Sequence, residues 1–219
     1  MTLEQIRTEL AAKKTIICAA VLLLAAILLD ARALFQSKYA VGVDGYYYVL
    51  QIDSYLNQGS FYFPSQTPLV LYFLSSLAYL FNDTVFAIKI GVLILQLFLS
   101  LGILALVTSV TRNIWLGILG MSIAAFSNLH LFLLGEFLNS LGALTFLVWC
   151  GFGLSRFYRT KRKKWLIFSL SAMIIAVFCH RSTLGLIAIL SISFAVSYLV
   201  MRSKTLKIKF LGFLLFLRS

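Results

Sequence analysis

Long apolar runs broken by short polar stretches dominate the chain. A bilayer core of about 30 Å needs about 20 apolar residues per helix. Runs of that kind predict membrane-spanning helices at 15–35, 85–109, 114–134, 137–155, 165–180 and 183–201. A seventh run starts near Phe210 and stops at Ser219, too short to cross. Pro68–Phe81 is also short and ends at the helix-breaking pair Asn82-Asp83, so it predicts an interfacial or re-entrant helix. The break between the first two spans, about residues 36–84, includes the stretch Val41–Pro68, which holds both prolines and five of the ten tyrosines. A helix over 44–58 places Asp44, Tyr48, Gln51, Tyr55 and Gln58 along one stripe, beside an apolar strip of Val49, Ile52 and Leu56. Such a helix would lie in the interface with a polar, aromatic face. Asp53 falls almost opposite Asp44. The expected fold is all-α: a polytopic membrane helix bundle of six full spans and a partial seventh, forming a single transmembrane domain over 1–219.

Composition agrees, with 61% hydrophobic residues, 12% charged residues and a mean hydropathy of +0.97. A net charge of +12 would suggest nucleic acid in a soluble domain. Here the bases fall in short clusters between apolar runs, which is a topology signal and argues against a nucleic-acid partner. With Pro68–Phe81 left out of the spans, one side receives Arg7, Lys13, Lys14, Arg112, the run Arg156–Lys164, Arg202, Lys204, Lys207 and Lys209. That is fourteen of the nineteen basic residues. The other side receives Asp44, Asp53, Asp83 and Glu136, with Asp30, His130, His180 and Arg181 at or near the same ends of spans. Basic loops stay cytoplasmic, so the N-terminus is expected inside and the first loop outside. Cys18, Cys150 and Cys179 lie in apolar runs without metal-ligand spacing and read as helix-packing residues.

Candidate chemistry therefore gathers on the outer side. Asp44 sits in "GVDG", where it either caps a helix or presents a carboxylate that can take a proton or ligate a divalent cation. Glu136 reads as a first-turn carboxylate favoured by the helix dipole, or as a second ligand to a metal shared with Asp44. In "CHRSTLG", Arg181 with His180 suits a phosphate at headgroup depth, or an arginine reaching for the interface. The tyrosines of the first loop also fit an ordinary aromatic belt.

Taken in order, these residues resemble the GT-C glycosyltransferases, multi-spanning enzymes that take a sugar from a polyprenyl-phosphate carrier. The resemblance rests on "DGYYYVLQIDSYLNQGSFYFPSQTPLVLYFLSSLAYLFND", Asp44 to Asp83, followed by "VFAIKIGVLILQLFLSLGILAL", and it covers roughly residues 15–200. It is nearest to the bacterial branch of aminoarabinose and protein mannosyl transferases, which implies a bacterial inner-membrane location. It also implies Asp44 as the first-loop catalytic acid, Glu136 as a second-loop acid, and His180 and Arg181 near the lipid phosphate. Tyr48, Gln51 and Tyr55 are expected to line the substrate. A divalent metal on Asp44 and Glu136 is part of that expectation, as are a polyprenyl-phosphate sugar donor, a lipid, glycan or protein acceptor, and membrane lipids as partners. The chain departs from the family where many members carry an acidic pair and it has Asp44-Gly45. It also ends inside its seventh run, which suggests a shortened chain. The rival expectation is a non-catalytic scaffold, or a transporter of a lipid-linked or small solute.

Overall fold

Short polar punctuation sets the helix ends. The computed structural model describes residues 3–40, 42, 44–64, 69–127 and 137–189, with side chains from residue 14 onward. Two units result, Met1–His180 and Arg181–Ser219. The first holds α1 (Leu3–Phe35), α2 (Gly45–Gln58), α3 (Leu69–Phe81), α4 (Thr84–Thr111), α5 (Ile114–Ala125), α6 (Leu138–Thr160) and α7 (Lys163–Cys179). In the second unit residues 183–189 are helical, opened by the Leu184 N–H bonding the Arg181 carbonyl at 3.1 Å.

Each turn follows from its residues. Gly59 ends α2 at φ 74°, a left-handed conformation that glycine adopts without a Cβ penalty, and its N–H bonds the Tyr55 carbonyl at 2.9 Å. Asn82 takes φ 52°, and Asp83 then caps α4 by accepting the Phe86 N–H at 2.9 Å. Arg112 and Asn113 repeat the device, with Asn113 accepting the Trp115 N–H at 2.9 Å. The pair Asn82-Asp83 thus stops one helix and starts the next, as its sequence predicts.

Among the described residues three helices are long and apolar enough to cross a membrane: Lys14–Phe35 within α1, Thr84–Thr111 and Leu138–Thr160. They fit a membrane protein. On α1, Ile16, Val21, Leu24 and Leu28 are each more than half exposed, a surface that lipid covers and water does not tolerate over such a length. Of the other expected spans, 114–134 is helical over Ile114–Ala125, with 128–136 outside the described residues. The run 165–180 lies within α7, which has 17 residues, and 183–201 is described only to residue 189. The seventh run lies outside the described residues.

At the centre is α4, which packs against α1, α2, α3, α5 and α6. It runs parallel to α6, and side chains tie the two together along their length. Trp149 Nε1 donates to the Phe98 carbonyl at 3.1 Å, Ser109 and Ser155 share a hydrogen bond of 2.8 Å, and Arg159 donates to the Val110 carbonyl at 2.9 Å. Because α1 and α3 run antiparallel to α4, the aspartates gather at one end of this unit with Arg32, Lys38 and Lys89, and the other described bases at the opposite end. Asp83 caps the start of α4 and Arg112 its end, with 28 helical residues between them, or about 42 Å at the helical rise.

The Pro68–Phe81 segment forms a helix of 13 residues, about 20 Å long, that covers only the first half of α4. On the side that meets α4, Leu71 and Leu74 are fully buried. Close approach to α6 depends on Gly142, where a Cβ would lie 2.6 Å from Val70 Cγ2, a branched side chain with little freedom to move. At Gly151 the same atom would meet nothing nearer than Leu106 at 3.4 Å. Gly142→Ala should therefore cost about 1–2 kcal/mol through overpacking, while Gly151→Ala should be neutral or stabilising. Thermal unfolding in detergent checks the pair, and equal melting temperatures would contradict this packing.

Candidate functional site

The aspartate-rich end is built on α2. Asp44 precedes the helix in a helical backbone conformation, φ −81° and ψ −4°, and its carbonyl accepts the Tyr48 N–H at 3.2 Å. Its carboxylate makes no capping bond to α2. Of the two local roles open to Asp44, the helix cap is therefore not the one adopted.

One turn on, Tyr48 is buried. Its phenol faces the backbone N–H groups of Asn139 and Leu138, at the start of α6, and lies within reach of the Asp44 charge. Burial first, opposed in part by the helix N–H groups and helped by the Asp44 charge, pushes the phenol up to about 12. Tyr48 is thus a neutral donor over the whole physiological range. The amide oxygen of Asn139 is also buried there, with no hydrogen bond among the described residues.

Gln51 is fully buried, and its amide is matched to one backbone unit. Oε1 accepts the Phe63 N–H at 2.9 Å, while Nε2 donates to the Phe63 carbonyl at 3.2 Å and to Tyr47 Oη at 2.9 Å. Tyr55 stacks on Phe61 at 4.8 Å and meets Tyr72 of α3 edge-on at 5.3 Å. The middle of the stripe, at Tyr48 and Gln51, therefore turns inward, while Gln58 stays exposed. Tyr48 joins α2 to α6, Gln51 pins the loop after α2, and Tyr55 joins α2 to α3. The pattern was legible, but its direction was not, because buried polar side chains with matched partners look the same in sequence as exposed ones.

Asp53, on the other face of α2, accepts from Thr84 Oγ1 and ties α2 to the first residue of α4. Lys89 is buried and donates to the Ser37 carbonyl just past the end of α1, where its ammonium also lies 5.3 Å from the Phe35 ring. Sequence reading missed both links, although a lysine inside an apolar run is itself a signal of a buried partner.

His180 ends α7, its N–H bonding the Ala176 carbonyl at 3.1 Å. The neighbouring Cys179 packs near Gly142, one turn after the α6 start that holds Tyr48. Arg181 belongs to the second unit and is exposed. Glu136 and His130 lie outside the described residues. Among the described residues no group of three or more His, Cys, Asp or Glu gathers as a metal site.

Between α3, α4, α6 and α7 lies an apolar cavity of about 460 Å³, walled by Tyr72, Phe73, Leu95, Phe98, Phe146 and Ile175 among others. Tyr72 belongs both to this wall and to the aromatic cluster on α2, so the cavity and α2 share a boundary.

Two outcomes follow. Gln51→Leu leaves both polar groups of Phe63 unpaired, at a cost of about 1–3 kcal/mol. Hydrogen exchange at residues 60–64 should rise, and an unchanged rate would contradict the pin. For Tyr48, a folded-state value raised above the ordinary 10 means the folded protein holds its proton longer. That stability is fully present below pH 10 and is lost as pH climbs towards 12. Tyr48→Phe should flatten the fall in melting temperature across that window, and an identical slope would count against the burial of this phenol.

No family model, no curated protein and no solved structure matches this chain.

Proposed function

We propose that the protein is a membrane glycosyltransferase of the GT-C kind, moving a sugar from a polyprenyl-phosphate carrier to an acceptor at the aspartate-rich end of the bundle. One observation carries the reading: Asp44 stands at the start of the helix whose aromatic cluster borders a 460 Å³ apolar cavity. Such a cavity suits part of an isoprenoid chain, and the resemblance of the first loop supplies the reaction class.

In this mechanism Asp44 takes the proton from the acceptor hydroxyl as its oxygen attacks the anomeric carbon. The bond from that carbon to the carrier's phosphate oxygen breaks, and the phosphate leaves with the electron pair. The resemblance assigns the offsetting of the growing charge to His180 and Arg181. Tyr48, held neutral between the α6 start and Asp44, fixes the helix turn that carries the base. The resemblance also implies a divalent metal, which Asp44 and Glu136 would hold. The full reading has six spans and a partial seventh, an N-terminus in the cytoplasm and the site outside a bacterial inner membrane.

A second reading, transport of a lipid-linked or small solute or a scaffold role, draws on Asp30 and Lys89, both buried on membrane-length helices. Sugar transfer from radiolabelled polyprenyl-phosphate sugars separates the two. Membranes holding the protein should transfer label, and Asp44→Asn should lower the rate by about 10²–10⁴-fold without loss of membrane insertion. Wild-type turnover by the variant would sink the role of Asp44, whereas label crossing sealed vesicles without transfer would favour transport.

A further inference from the structure

The other end of the bundle carries a different feature. Six cations, Arg156, Arg159, Lys161, Arg162, Lys163 and Lys164, fall within the tight turn between α6 and α7, and Arg112 ends the adjacent α4. Lys161 takes φ 54° and its N–H closes on the Phe157 carbonyl at 2.8 Å, so α7 starts only two residues after α6 stops. The chain thereby forces like charges together.

Their placement also opposes the helix dipole. Lys163 and Lys164 stand in the first turn of α7, where the helix already presents positive charge, and Arg162 gives no side-chain cap. Counter-charge within the chain is scarce. Asp30, Asp44, Asp53 and Asp83 belong to the opposite end, and no acid follows Glu136 in the sequence. Glu4 and Glu9 share the first turns of α1 with Arg7, Lys13 and Lys14.

The surrounding rings locate the depth of this charge. The Arg156 guanidinium lies 5.3 Å from the Trp165 ring, Lys164 lies 5.7 Å from the same ring, and Lys161 lies 4.5 Å from Tyr158, which is 76% exposed. Trp115, at the start of α5, is also exposed. Tyr and Trp settle at the headgroup level of a bilayer. Arg156 Nε is buried without a hydrogen-bond partner. Cations at that depth, flanked by apolar helices and short of internal acid, match a ligand that has a phosphate at one end and acyl chains at the other.

We infer that the turn between α6 and α7 is a binding surface for acidic phospholipid headgroups, which supply the negative charge that the chain lacks at this end. The surface does not depend on the transferase reading. A basic patch near a membrane surface gains about 1 kcal/mol per Lys or Arg, which converts to about fivefold in affinity for each.

The test titrates phosphatidylglycerol, and separately phosphatidylcholine, into the detergent-solubilised full chain and follows Trp fluorescence. Phosphatidylglycerol should bind well above phosphatidylcholine. The triple variant R162Q/K163Q/K164Q, altered only at exposed positions, should weaken it about a hundredfold. R32Q/K38Q, at the opposite end, should leave the affinity unchanged, and circular dichroism checks that both variants keep their helix content. Equal affinity for the two lipids, an unchanged triple variant, or tighter binding of inorganic phosphate or a short RNA than of phosphatidylglycerol would overturn the inference.

Discussion

The parallel pairing of α4 with α6 is the interaction on which the rest depends. Lipid chains are as apolar as leucine, so helices inside a bilayer gain little from hiding apolar surface from each other. What holds them is close packing and hydrogen bonds between side chains and backbone. The Trp149, Ser155 and Arg159 links supply those bonds at successive levels of α4. Gly142 then lets α3 and α7 approach α6 closely enough to share one packed interior. A shift in the register of this pair would misplace the start of α6, and with it the N–H groups that receive Tyr48.

From this pairing follows a division of labour along the bundle. At one end, α2 is held from three sides: by Tyr48 on α6, by Asp53 on α4 and by Tyr55 on α3. A loop segment so tied is a rigid platform, and Asp44 rides on its first turn without being spent as a cap. The opposite end has dense positive charge on a two-residue turn and aromatic rings around it. Chemistry is thus proposed where charge is sparse and matched, and membrane attachment where it is crowded and unmatched.

Much of the fold was legible because its cues are local. Apolar length gave α1, α4 and α6, Asn82-Asp83 gave the break before α4, and the separation of acids from bases gave the two ends. The periodicity of 44–58 gave a helix and its stripe. It did not give the stripe's direction, because Tyr48 and Gln51 find their partners in backbone groups of α6 and of the loop at Phe63. Backbone N–H and carbonyl groups are present at every residue and leave no mark in sequence, so a buried polar stripe with backbone partners reads as a wet one. The 460 Å³ cavity was equally invisible, since it arises from four helices whose mutual placement only the tertiary contacts fix.

The central claim is that the aspartate-rich and basic ends of the bundle face opposite sides of a membrane. Two single-cysteine reporters address it directly: Ser60→Cys on the loop after α2 and Thr160→Cys at the basic turn, both exposed, in a chain whose three native cysteines are replaced by alanine. Intact cells are treated with a membrane-impermeant maleimide. The account expects labelling at position 60 alone, with position 160 labelled only after permeabilisation. Labelling of both from the same side would contradict it.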